Sequence, residues 1–120
     1  NENITLYRSL YDFNFNLECF FKISLLEKSI LHKPLFQLSD GQRLRVALGL
    51  VYQRINKADI LIMDEWLSVG DPNYRDHVSN LMLEIVKKNK TIICSSNNIN
   101  IPIYDSSFII DLDNYKNQYF

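Results

Sequence analysis

The chain has 120 residues, of which 47% are hydrophobic and 12% aromatic, enough to bury a core of its own. Thirteen basic residues against fourteen acidic ones leave a formal net charge of -1, so no basic field points to a nucleic-acid partner. No apolar run approaches the ~20 residues of a membrane-spanning helix, because Phe20 and Phe21 are soon followed by Lys22, Glu27 and Lys28.

In chain order, Leu17, Phe20, Phe21, Leu25 and Leu31 share one helical face, which predicts an amphipathic helix from Leu17 to Leu31 closed by Pro34. A second helix is expected from just after Ser39 to Asn56, with Leu44, Ala47, Leu48, Val51 and Ile55 as its buried stripe. Ile60 to Met63 is continuously apolar, as in a parallel strand covered on both faces, and it stops at Asp64 and Glu65. A third helix is expected over Asn73 to Lys88, and short buried strands over Thr91 to Ser95 and Phe108 to Asp111. Helices alternating with apolar strands give an α/β fold, with the helical N-terminal third forming a lobe beside the sheet. Cys19 and Cys94 fall in separate elements without ligand spacing, which fits reduced thiols. The N-terminus has no signal-peptide pattern and reads like a segment entered mid-domain.

Three segments carry chemistry. Ser39-Asp40-Gly41-Gln42 is an S-x-x-Q capping box. A helix start of this kind offers amides and a positive dipole end to an anion such as a phosphate, although a capped helix also explains these four residues. Asp64 and Glu65 place two carboxylates at the carboxyl edge of a sheet, where α/β proteins bind ligands; a solvated turn is the plain alternative. Gly70-Asp71-Pro72-Asn73 has the composition of a turn that caps the next helix. The order of the three pieces says more than any one of them.

In that order the sequence resembles the ATP-binding cassette (ABC) family. Leu38 to Gln42 looks like its signature motif, Ile60 to Glu65 like its Walker B strand and Ser68 to Asp71 like its D-loop. Ser-Val-Gly-Asp followed by Tyr74 is similar to the branch that exports O-antigen, capsule and teichoic-acid polymers, as are Glu2-Asn3-Ile4, Lys33-Pro34 and Arg43-Leu44-Arg45.

The resemblance implies a partial P-loop NTPase fold, with residues 1–58 as the helical signature subdomain and 59–120 as the C-terminal part of the ATPase core, its sheet lacking the N-terminal strands. It implies an ATPase subunit on the cytoplasmic face of a membrane, attached through integral permease subunits and dimerised head to tail with a second ATPase domain. Ser39, Asp40, Gly41 and Gln42 would act on the γ-phosphate of ATP held by that second domain, and Asp71 would couple the two sites. Asp64 would support Mg²⁺ and Glu65 would be the general base. The lobe from Asn3 to Leu31 would lie near the membrane subunits.

The pattern fails in two places. A phosphate-cradling loop needs Gly-Lys-Ser/Thr, but the three glycines, Gly41, Gly49 and Gly70, are followed by Gln, Leu and Asp; these 120 residues alone are expected not to hydrolyse ATP. Asn97 stands where the family's switch histidine is expected. An amide can bond a phosphate oxygen but cannot shuttle a proton, and Ser95 to Asn98 also reads as a simple polar loop. His32 and His77 are expected to be solvated. A degenerate, non-hydrolysing cassette partner is the rival reading, and a DNA-repair or chromosome-structure ATPase a more distant one.

Overall fold

The computed structural model describes residues 4–12, 15–66 and 71–95. Four helices, α1 (Leu6–Asp12), α2 (Leu17–Ser24), α3 (Asp40–Arg54) and α4 (Pro72–Lys87), and two strands, β1 (Ile60–Asp64) and β2 (Thr91–Ser95), follow in the order α1-α2-α3-β1-α4-β2. The expected third strand, Phe108 to Asp111, lies outside the described residues. β1 and β2 pair in parallel, with Ile60 opposite Thr91 and Asp64 opposite Ser95, and α4 is the crossover between them. The described part is thus mixed helix and strand, as the alternation of patterns predicts.

The lobe differs from the expected single helix. α2 starts under Asn16, whose side chain accepts from the Cys19 amide, but it ends at Ser24 rather than Leu31. Ser24 is fully buried, and its Oγ accepts from the Leu26 amide at 3.3 Å. This local bond competes with the helical ladder. Leu25 turns left-handed at φ 57°, and the chain continues through a short 3₁₀ turn at Lys28–His32. Pro34 is bridged to Thr5, and the Leu6 amide donates to Lys33 O, so the proline straps the start of α1 to the segment that leads into α3.

α3 follows the predicted span to within a turn and carries both cores. Leu48 and Ile55, with Leu44, Ala47 and Val51, pack into a cluster with Met63, Tyr74, Val78 and Ile85. Val46 and Leu50 face the other way, into a cluster with Leu6, Leu10, Phe20 and Ile30. Gln53 and Asn16 exchange two hydrogen bonds of 3.0 Å, fixing the start of α2 beside the last turn of α3.

Among the described residues β1 is covered on one face, not on both as its continuous apolar run predicts. Leu61 and Met63 are buried against the helices, whereas Ile60 and Ile62 are 56% and 69% exposed, as is Ile93 of β2 at 55%. Side chains alternate across a strand, and among the described residues helices lie on only one side of this sheet.

Gly49 of α3 touches α2 directly. A Cβ added there would stand 2.6 Å and 2.9 Å from ring carbons of Phe20, which is itself fully buried and has nowhere to swing. Gly49→Ala is therefore expected to destabilise the fold by about 1–3 kcal/mol of overpacking, although alanine is worth ~1 kcal/mol more than glycine in a helix. Urea denaturation of the two proteins measures the sign, and a more stable variant would contradict this packing.

Candidate functional site

The predicted capping box is formed. Ser39 is extended at φ -65° and ψ 162°; its Oγ accepts from the Gln42 amide at 3.2 Å, while Gln42 Oε1 accepts from the Ser39 amide at 3.0 Å. The Arg43 amide makes the first intrahelical bond, to Ser39 O. The amides of Asp40 and Gly41 are left without an intrahelical acceptor, as helix geometry dictates. Asp40 and Ser39 are exposed, and the space where a side chain at Gly41 would stand is empty to 4 Å. An anion can reach this backbone. Arg43 lies 3.9 Å from Asp40 and donates to Phe36 O, so the one acidic side chain of the first turn is partly offset.

The carboxylate pair is organised by β2. Ser95 Oγ donates to Asp64 Oδ1 and accepts from the Glu65 amide at 3.2 Å, and Ser95 O accepts from the same amide at 3.1 Å. One hydroxyl thus joins the Asp64 carboxylate to the backbone amide of Glu65. Glu65 is held at φ 55°, a conformation that costs a residue with a Cβ some energy and is met at functional turns. It takes the chain out of strand geometry directly after Asp64, so the two acids do not simply alternate across the sheet. Asp64 is exposed and Glu65 half-buried.

Cys94, beside this pair, has its thiol pushed up, first by burial and then by Glu65 and Asp64. That disfavours a reactive thiolate; Cys19 and Cys94 are not bonded to each other.

Asp71 caps α4. Its Oδ1 accepts from the Tyr74 amide at 2.8 Å, and its Oδ2 lies 3.9 Å from Nη2 of Arg45 on α3. The Arg45 guanidinium sits over the Tyr74 ring, 5.3 Å from its centroid. Asp71 is thereby joined to the helix that begins at Ser39. Ser39 and Gln42 bond to each other, Asp64 and Glu65 bond to Ser95, and Asn97 falls outside the described residues.

Sequence reasoning names Arg45 only within the Arg43-Leu44-Arg45 resemblance and Ser95 only at a strand end, and gives neither a role in the site. Arg45 is visible as a charge among the apolar positions of α3, whereas the part played by Ser95 needs the register of β1 on β2. His77 is not solvated as expected: it is half-buried and its Nε2 lies 2.7 Å from Ile23 O at the end of α2. His32 is exposed as expected. An open apolar cavity of about 240 Å³, lined by Phe15, Leu50, Val51, Arg54, Ile55, Ala58 and Leu61, contains none of these acids.

Among the described residues no three His, Cys, Asp or Glu side chains cluster to hold a metal, and no helix is long and apolar enough to cross a membrane. One exposed carboxylate with a second beside it is nonetheless a donor set suited to Mg²⁺, which binds through one or two carboxylates and completes its shell with water and phosphate.

No family model matches the chain. It is 32% identical over 90 residues to the energy-coupling factor transporter ATP-binding protein EcfA3 of Oenococcus oeni, covering 74% of this chain and 31% of that protein. It is 36% identical over 69 residues to the teichoic acids export ATP-binding protein TagH of Staphylococcus haemolyticus, covering 58% and 25%. To the phosphate import ATP-binding protein PstB 2 of Streptococcus pyogenes it is 40% identical over 72 residues, covering 60% and 26%. These relatives are ABC transporter ATP-binding subunits. The chain spans less than a third of the length of each. Polymer export is the role of one of the three by name, and the others are named for different transport.

Burial pushes the Tyr74 hydroxyl up to about 12, against the pull of the Arg45 cation. The folded protein therefore keeps a proton that the unfolded chain gives up near pH 10, and stability falls as pH rises from about 10 through 12. Tyr74→Phe is expected to remove this part of the loss. Denaturation midpoints compared at neutral pH and at about pH 11 check it; an equal alkaline drop in both proteins would contradict it.

Proposed function

We propose that these residues are the C-terminal portion of an ATP-hydrolysing subunit of an ABC transporter, with 1–58 contributing the helical signature subdomain and 59–120 part of a P-loop ATPase core. The observation that carries this reading is the carboxylate pair at the carboxyl edge of the parallel sheet, where Ser95 bonds the Asp64 carboxylate and the backbone amide of Glu65. The similarity to transporter ATP-binding proteins supports it independently.

In this reading Asp64 supports the shell of Mg²⁺, which when bound offsets phosphate charge. Glu65 accepts the proton of the attacking water. The backbone turn at φ 55° and the two bonds from its amide to Ser95 fix where that carboxylate starts. Ser39, Asp40, Gly41 and Gln42 present free amides and a helix dipole to the γ-phosphate of ATP bound by a second ATPase domain. Asp71, held between the first turn of α4 and Arg45, couples the two sites. The partners are that second domain and integral permease subunits, which place the protein at the cytoplasmic face of the membrane.

The cargo we propose is a polysaccharide or its lipid-linked precursor. The Ser68-Val69-Gly70-Asp71 turn followed by Tyr74 supports this, together with the similarity to a teichoic acids export protein. A second reading, a cassette that lends Ser39 to Gln42 to a partner's nucleotide without hydrolysing ATP, is favoured by Asn97, whose amide cannot carry a proton.

The test is ATP turnover of the whole protein against its Glu65→Gln variant, which keeps the side-chain shape. Loss of a general base is expected to slow turnover by about 10²–10⁴-fold. Equal rates in the two proteins would remove Glu65 from its role.

A further inference from the structure

Arg45 is absent from the roles above, yet it is the residue through which two of the candidate segments meet. It lies on α3 less than two turns beyond Ser39, with its side chain 28% exposed. Its guanidinium faces Oδ2 of Asp71 at 3.9 Å and covers the ring of Tyr74 at 5.3 Å from the centroid. Tyr74 is fixed in turn, being 2% exposed in the core that α3 and α4 share. Both oxygens of Asp71 are thereby engaged: Oδ1 by the Tyr74 amide of its own helix, Oδ2 by α3.

The charges fit this arrangement. A cation placed by itself at the N-terminus of α4 would be repelled by the helix dipole, and the Asp71 carboxylate between them makes the position favourable. An ion pair that solvent reaches, as it reaches Asp71 here, contributes little to stability. Its consequence is geometric: it fixes Asp71 at the start of α4 relative to the first turn of α3. A planar guanidinium can pair with the carboxylate and lie flat on the ring at once, which a lysine ammonium cannot.

We propose that Arg45 is a positioning residue for ATP turnover, acting through Asp71 and Tyr74 to hold the Ser39 helix start and the Asp71 cap of α4 as one unit. This rests on the ATPase reading above. Arg45 touches no nucleotide in that reading, so its loss is expected in kcat and not in nucleotide affinity.

The experiment measures kcat and KM for Mg-ATP in the whole protein and in Arg45→Met, Arg45→Lys, Asp71→Asn and the Arg45→Met/Asp71→Asn double variant, with urea midpoints as a record of folding. Arg45→Met is expected to lower kcat about tenfold, since small misplacements away from the reacting atoms carry costs of this order or more. KM should stay within about twofold, and Arg45→Lys should recover part of the rate. The double variant is expected to be no slower than the slower single variant, because the arginine acts through the aspartate.

A kcat unchanged in Arg45→Met, or one that falls only in step with the urea midpoint, would overturn the proposal. So would independent, multiplying losses in the double variant. Failure of the ATPase reading is seen separately: the wild-type protein then hydrolyses no ATP, or Glu65→Gln matches it, and the role of Arg45 falls with that reading.

Discussion

The ring of Phe20 occupies the place where a side chain at residue 49 would stand, and this close approach sets how α2 lies on α3. α3 is the strut of the described fold. One of its faces closes the lobe cluster around Leu6, Leu10 and Phe20, and the other closes the cluster under β1 and α4. Its first turn carries Ser39 to Gln42, its second reaches Asp71 through Arg45, and its last is tied to the start of α2 through Gln53. Displacing α2 from Gly49 would shift every group that α3 carries, because packed interiors have little free volume to absorb a misplaced ring.

The two halves of the candidate site are held by different physics. The helix start is a local device, in which two residues three positions apart satisfy each other's amides and leave Asp40 and Gly41 open to an anion. The carboxylate pair is a tertiary device, made by strand register. Asp64 stands opposite Ser95, and the serine hydroxyl then meets both Asp64 and the Glu65 amide. Charge is treated differently in each half, with Arg43 beside the single acid of the helix start and, among the described residues, the neutral hydroxyl of Ser95 bonding to Asp64. The first arrangement suits a phosphate, and the exposed Asp64 carboxylate suits a cation.

What the sequence made legible was decided within a few residues. The S-x-x-Q cap, the span of α3 with its buried stripe, the ends of α4 under Asp71 and the position of β2 all follow from local chemistry and periodicity. What it did not show depends on residues brought together from a distance. Leu17 to Leu31 has a continuous helical face, yet the buried hydroxyl of Ser24 takes the Leu26 amide and the helix stops. Ile60 to Met63 reads as buried on both sides, but apolar character cannot say whether a second layer is present, and Ile60 and Ile62 are bare. Gly49 looked like one more glycine that is not part of a phosphate loop, and its use is visible only with Phe20 beside it. Ser95 and Arg45 escaped for the same reason, since each works across elements.

The proposed division of labour is that Ser39 to Gln42 serve a nucleotide bound by another copy, whereas Asp64 and Glu65 serve a nucleotide bound by their own. The most direct measurement mixes two whole-protein variants, Ser39→Arg and Glu65→Gln, each impaired in ATP hydrolysis, and follows the rate of the mixture. In a dimer of the two, one site combines an intact helix start from one copy with an intact carboxylate pair from the other. The account predicts that mixing restores hydrolysis well above either variant alone. A mixture no more active than its components, with dimers shown to exchange, would contradict it.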